Sequence, residues 1–271
     1  MKIVSKLYMG IIYFLLYAPI VVIAVFSFNA GDSTSVMEGV SLRWYSALFE
    51  KPELFEALKN SLLLALSSGL LATVIGTMAA VGLARMQKKW MKSSVNAITK
   101  IPMMNHEIVT GISMMLLFVF ISKNILGNVE VNLGFFTLLI AHVTFNLPYV
   151  ILSVMPKLRQ MDKFLPEAAQ DLGCPPWKSF FLVELPNILP GVISGFIMAF
   201  TLSLDDFVIS LFNGGDNLKT LPVFIYNYTK KPVKPDIYAL FTLIVITILL
   251  LLVLSNLASN RDERRKARAK K

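Results

Sequence analysis

The sequence predicts an all-α integral membrane protein with six transmembrane helices, and three observations carry that prediction. Of its 271 residues 55% are hydrophobic and 16% charged, against roughly 25% charged in soluble domains. The apolar residues gather into six runs near 7–28, 61–84, 98–121, 133–154, 188–211 and 237–257, each long enough for the roughly 20 residues that cross a hydrocarbon core as helix. The runs are continuous rather than alternating, which excludes a closed barrel. What remains between them is too short for a soluble domain, so residues 1–271 read as one transmembrane domain.

The first run follows Lys2 and Lys6, as a signal peptide would, but it is about 22 residues long and lacks a small-residue cleavage site. It reads as an uncleaved span. The second is thinned by Gly69, Gly76, Ala79, Ala80 and Gly82, and the fifth opens on Gly191 and Gly195. Small residues let helix backbones approach where lipid supplies no hydrophobic drive between helices. Pro102 and Pro148 fall in the third and fourth runs, where kinked or broken helices can line a cavity. After the sixth comes a tail, 261–271, with seven basic residues. Such a tail meets anionic lipid head groups and anchors topology; with no folded module beside it, it is not read as a nucleic-acid site. The single cysteine, Cys174, rules out a disulfide framework.

Basic residues orient the spans. With the N-terminus inside, eighteen Lys and Arg residues fall on the inner side and eight on the outer. Both termini and the loop 157–187 are therefore expected in the cytoplasm.

That loop predicts two short amphipathic helices. Leu165, Ala168, Ala169 and Leu172 make an apolar stripe at helical spacing, with Glu167, Gln170 and Asp171 off it. Pro166 suits a first turn, and Glu167 meets the positive end of the helix dipole. Gly173 supplies a bend, and Pro175 and Pro176 restart a helix carrying Trp177, Phe180 and Phe181. The pattern is Glu167-Ala168-Ala169, four residues on to Gly173, seven more to Phe180, then Leu185-Pro186. It resembles the cytoplasmic coupling loop of ABC importer permeases. The resemblance implies that Glu167, Ala168, Ala169, Asp171, Gly173, Phe180, Leu185 and Pro186 dock on and couple to an ATP-hydrolysing subunit. The plain alternative is an interfacial helix without a partner.

Three carboxylates fall within or near spans: Glu107, Asp205 and Asp206. A charge at the bilayer centre costs ~2.5–3.5 kcal/mol, so the three suit a polar path for a cationic cargo. Two other readings stand beside that one: the Asp pair ends a helix at the outer boundary, or Glu107 pairs with Lys100. Ser203-Leu204-Asp205-Asp206-Phe207-Val208-Ile209-Ser210, Glu107-Ile108-Val109-Thr110-Gly111 and Phe145-Asn146-Leu147-Pro148-Tyr149 resemble the corresponding span motifs of spermidine/putrescine permeases of the PotC type. Where that type commonly carries Pro before the Glu, this chain has His106. The resemblance covers nearly the whole chain. It implies a type I ABC importer permease fold and a polyamine cargo. It also implies two ATP-binding subunits holding ATP and Mg, a second, related permease chain, and an extracytoplasmic polyamine-binding protein. A different cationic or small organic solute is the alternative cargo.

Other classes fit less well. His106-Glu107 opens like the zinc signature H-E-x-x-H, but position 110 is Thr, and His142 sits on another span. Gly214-Gly215-Asp216-Asn217-Leu218-Lys219-Thr220 has the wrong spacing for a phosphate-binding loop. No catalytic residue, metal ligand or cofactor is expected in this chain. A channel or secondary transporter would have no use for an ATPase-docking loop, and no inverted repeat is visible.

Overall fold

The computed structural model describes residues 2–34, 36–104, 107–124, 133–162, 164–215, 218–230 and 235–246. The second half of the sixth run, the tail 261–271, His106 and Lys163 lie outside the described residues. Among the described residues the chain is helical, with one isolated antiparallel bridge between Asn29 and Val40. In order the helices are α1 (Lys2–Phe26), α2 (Arg43–Phe49), α3 (Pro52–Arg85), α4 (Lys89–Met104), α5 (Glu107–Asn124), α6 (Phe135–Gln160), α7 (Leu165–Asp171) and α8 (Pro176–Ser179). A π-turn, Phe180–Glu184, leads into α9 (Leu185–Asp205), followed by α10 (Val208–Asn213) and α11 (Leu221–Thr229). A twelfth helix, α12, covers Asp236–Ile246. Within α1, α3, α5 and α6, and in the stretch from α8 through α9, lie five segments long and apolar enough to cross a membrane; α12 is the described part of the sixth run.

Two predicted spans differ in detail. The third run overlaps two helices: residues 98–104 complete α4 and Glu107 opens α5, with residues 105–106 outside the described residues. Lys89, Lys92, Asn96 and Lys100 make α4 amphipathic, and it buries no residue. The fifth run stops at Asp205, because Asp206 turns to an extended conformation (φ −65°, ψ 123°) before α10 begins. α6, by contrast, runs unbroken through Pro148 and Pro156. Neighbouring helices stand in for the lost backbone bonds of such prolines in membranes.

The chain forms two compact units. The first comprises Met1–Leu54 and Asn227–Lys271. Its α1 is exposed along most of its length, as a helix facing lipid or another chain would be. Behind α1, buried Asn29 ties a loop together: its side chain accepts from the N–H of Gly31 and Glu38 and donates to the carbonyls of Ser33 and Val36. The indole of Trp44 donates to the Asn29 carbonyl at 2.8 Å. Near the start of α3, Lys51 donates to Asp236 and, at 2.6 Å, to the Tyr228 hydroxyl. Partial burial alone would lower the Lys51 pKa, but these two bonds and the carboxylate charge raise it above its usual value.

The second unit, Phe55–Tyr226, is built on α6 packed along α9. Ala72, Ala80 and Leu83 of α3 join Val150, Val154 and Leu158 of α6 and Ile188 and Ala199 of α9 in one core cluster. Leu64, Phe118, Leu138, Phe145 and Ile209 form another, from α3, α5, α6 and α10. Small residues set these approaches. A Cβ on Gly191 would lie 2.9 Å from the Ser153 carbonyl oxygen, and one on Gly76 2.7 Å from Val150 Cγ1. Gly82 meets nothing within 4 Å, so its smallness serves no such contact.

Candidate functional site

The loop between α6 and α9 is built from its own sequence. α7 begins with Pro166 in its first turn and Glu167 at the positive end of its dipole. It ends in a Schellman motif: the Gly173 N–H donates to the Gln170 carbonyl at 2.9 Å and the Cys174 N–H to that of Ala169 at 3.1 Å. Gly173 has φ +88°, a left-handed conformation that glycine adopts without strain. The chain then turns at Pro175 into α8, whose buried Ser179 donates its hydroxyl to the Pro166 carbonyl at 3.0 Å. The two short helices are thereby fixed against each other.

Of the eight loop residues expected to couple, Glu167, Ala168, Asp171, Gly173 and Pro186 are exposed, and Ala169, Phe180 and Leu185 are half-buried. The apolar stripe is not covered by the chain itself. Leu172 is 90% exposed and Trp177 62%, with Phe164 and Phe181 also open. These side chains leave apolar surface open on the loop.

The π-turn carries a residue that sequence reasoning missed. Glu184, 3% exposed, forms an ion pair with Arg85 at the end of α3. Leaving a buried carboxylate without such a partner costs about 3–5 kcal/mol. The only signal was position: an acid immediately before Leu185-Pro186, in the otherwise apolar stretch Phe180–Pro186. Arg85, Lys92 and Arg159 line a cavity of about 520 Å³ together with Glu167, Gln170 and Glu184. Val81, Ala84, Met155 and Leu158 line the same cavity, so α7 borders α3 and α6 across both charged and apolar side chains.

The three span carboxylates have different surroundings. Asp206 is buried and accepts hydrogen bonds from the N–H of Ile209 (3.2 Å) and Ser210 (2.8 Å), capping the first turn of α10. His142 Nε2 stands 3.5 Å from it and 3.3 Å from the Ser210 hydroxyl. Asp205, the last residue of α9, is exposed, and so is Glu107 at the start of α5. Depth can be read from α6. His142 is about two turns in from Phe135, and Tyr149, within electrostatic reach of Glu107, about four. Among the described residues no ion pair joins Glu107 to Lys100.

A polar seam extends to either side of Asp206. Asn146 donates to the Ser203 hydroxyl at 2.7 Å, which lies 2.8 Å from that of Ser68. Asn213 donates to the Gly111 and Ile209 carbonyls. These residues stitch α3, α5, α6, α9 and α10 together, as interhelical hydrogen bonds do in membranes. His142 Nδ1 and the side-chain oxygens of Asn146 and Asn213 are buried without a partner among the described residues. Among the described residues no cluster of three or more His, Cys, Asp or Glu side chains is placed to hold a metal ion.

Comparison with known proteins places this arrangement. The family described as binding-protein-dependent transport system inner membrane component matches residues 72–267. The putrescine transport system permease protein PotI of Escherichia coli (strain K12) is 38% identical over 230 residues, 85% of this chain and 81% of that protein. The spermidine/putrescine transport system permease protein PotC of Haemophilus influenzae is 35% identical over 255 residues, covering 94% of this chain and 96% of the relative. Among solved structures, a bacterial ABC transporter that imports the acidic polysaccharide alginate superposes with a TM-score of 0.72 at 13% identity, over 96% of this chain and 95% of that one. The same kind of transporter in complex with its alginate pentasaccharide-bound periplasmic protein gives 0.67 at 16% identity, over 93% and 91%. At these identities the structural likeness speaks to the fold alone. The matched span takes in the loop, the π-turn and all three carboxylates. The chain is a multi-pass membrane protein and belongs to the binding-protein-dependent transport system inner membrane component family.

Proposed function

We propose that this chain is the permease subunit of an ATP-driven importer that moves polyamines into the cell by alternating access. One observation carries the cargo reading: Glu107 and Asp205 are exposed carboxylates at membrane depth, with no cationic partner among the described residues. Facing lipid, each would cost ~2.5–3.5 kcal/mol; facing a path that carries ammonium groups, each replaces part of the cargo's hydration. Asp206 plays a different part, fixing the break between α9 and α10 so that Asp205 is presented outward. The relatives named for putrescine and spermidine support the same cargo.

The loop 157–187 lies in the cytoplasm and docks on an ATPase subunit through Glu167 and the exposed apolar residues around it. The complete transporter has two such ATPase subunits, which hold ATP and Mg, a second, related permease chain, and an extracytoplasmic binding protein that delivers the cargo. Closure of the ATPase pair on ATP moves α7 and α8. The Arg85–Glu184 pair passes the motion to α3 and α9, and the path opens outward. Hydrolysis resets it. This chain's own residues bind and position; the bond-breaking chemistry belongs to the partner.

The test is purification from native membranes followed by reconstitution into vesicles. An ATP-hydrolysing subunit should co-purify, and uptake of labelled spermidine or putrescine should require ATP and the binding protein. Uptake that persists without ATP would overturn the importer reading.

A further inference from the structure

We propose that the crevice between α4 and α6 binds the phosphate of an anionic group, supplied by a phospholipid of the leaflet on the loop side. The crevice has a volume of about 300 Å³, at the lower end of small-ligand sites. Lys100 and Asn96 of α4 face Arg159 and Gln160 of α6 across it, over an apolar floor that includes Leu152 and Met155. No carboxylate lines it. Among the described residues neither Lys100 nor Arg159 makes an ion pair, whereas Arg43, Lys51 and Arg85 each have an acidic partner. Two unneutralised cations and two carboxamides above a greasy floor are what a phosphodiester attached to acyl chains requires: charge-assisted donors for the oxygens and apolar surface for the chains.

The helix that forms one wall is suited to the membrane surface. α4 is amphipathic and buries no residue, and it exposes Trp90, Ile98 and Ile101 beside its lysines; Trp and Lys on one exposed helix are the signature of a membrane interface. Arg159 and Met155 also line the cavity that Glu167 borders. A bound phosphate therefore neutralises Arg159 within reach of α7, which makes the lipid a modulator of the loop. The site itself does not depend on what the transporter carries.

The experiment titrates the intact purified complex in detergent with phosphatidylglycerol or phosphatidylcholine and counts retained lipid by native mass spectrometry. Phosphatidylglycerol should be retained in preference to phosphatidylcholine. Lys100→Gln with Arg159→Gln should weaken retention about thirtyfold, at about 1 kcal/mol per basic residue near an anionic surface. Lys88→Gln with Lys89→Gln, equal in charge but outside the crevice, should change it less than about threefold. Both pairs are exposed, and an unchanged thermal transition verifies the fold. Inorganic phosphate added at millimolar concentration is the final arm. Displacement of the lipid by it confirms phosphate recognition but assigns the site to free phosphate. Equal retention of the two lipids, or equal loss in the two variant pairs, would overturn the site.

Discussion

Asp205 and Asp206 are adjacent in sequence and chemically identical, yet one is exposed and the other buried beneath two backbone N–H groups. The difference is conformational. A carboxylate that can reach the N–H groups three and four residues ahead competes with helix continuation and restarts the helix instead. Removing that acceptor leaves two buried donors unsatisfied. Asp206→Ala should therefore lower the stability of the solubilised chain by about 0.5–2 kcal/mol, seen as a lower midpoint of thermal unfolding. Asp205→Asn should leave the midpoint unchanged. Equal midpoints for Asp206→Ala and wild type would remove the capping role. The sequence contained the pair but not this division of labour, because which of two neighbouring carboxylates caps a turn depends on backbone angles that composition does not encode.

At the scale of elements, α7 and its glycine end were legible because each feature is local: Pro166 in the first turn, Glu167 at the dipole, Gly173 at the left-handed position. The amphipathic character of α4 was less so. Pro102 and the polar residues of α4 lie within an apolar average, and their effect depends on α4 packing against α6 rather than entering an apolar core. The Arg85–Glu184 pair, far apart in sequence, was illegible for a related reason: only the packing of α3 on the π-turn brings it together. The loop prediction follows from α7. Glu167→Lys places a cation at the positive end of a helix, a cost of roughly 0.3–1 kcal/mol, and inverts the charge offered to a partner. Expression and membrane insertion should stay normal, while co-purification of the ATPase falls and ATP-driven uptake is lost. Wild-type uptake by a well-expressed Glu167→Lys complex would contradict the coupling role.

For the whole molecule, the apolar runs sufficed to give the class, since the bilayer imposes length and continuity on any spanning helix. Orientation rests on the inner excess of basic residues and can be read directly. In a chain carrying Cys174→Ser, cysteines introduced at Lys89 or Lys178 should react with an impermeant thiol reagent only after the membrane is opened. Cysteines introduced at Asp32 or Lys219 should react in intact cells. The opposite pattern would place the loop outside and remove its access to ATP. The central claim is that ATP drives a polyamine along a path lined by Glu107 and Asp205. Its most direct test is the rate of labelled spermidine and putrescine uptake into vesicles holding matched amounts of wild-type, Asp205→Asn and Glu107→Gln complexes, with binding-protein-stimulated ATP hydrolysis measured in the same preparation. The account predicts that each variant assembles and hydrolyses ATP but takes up polyamine at least about tenfold more slowly, the factor that 1.4 kcal/mol of lost charge interaction gives. Uptake at the wild-type rate by both variants would contradict it.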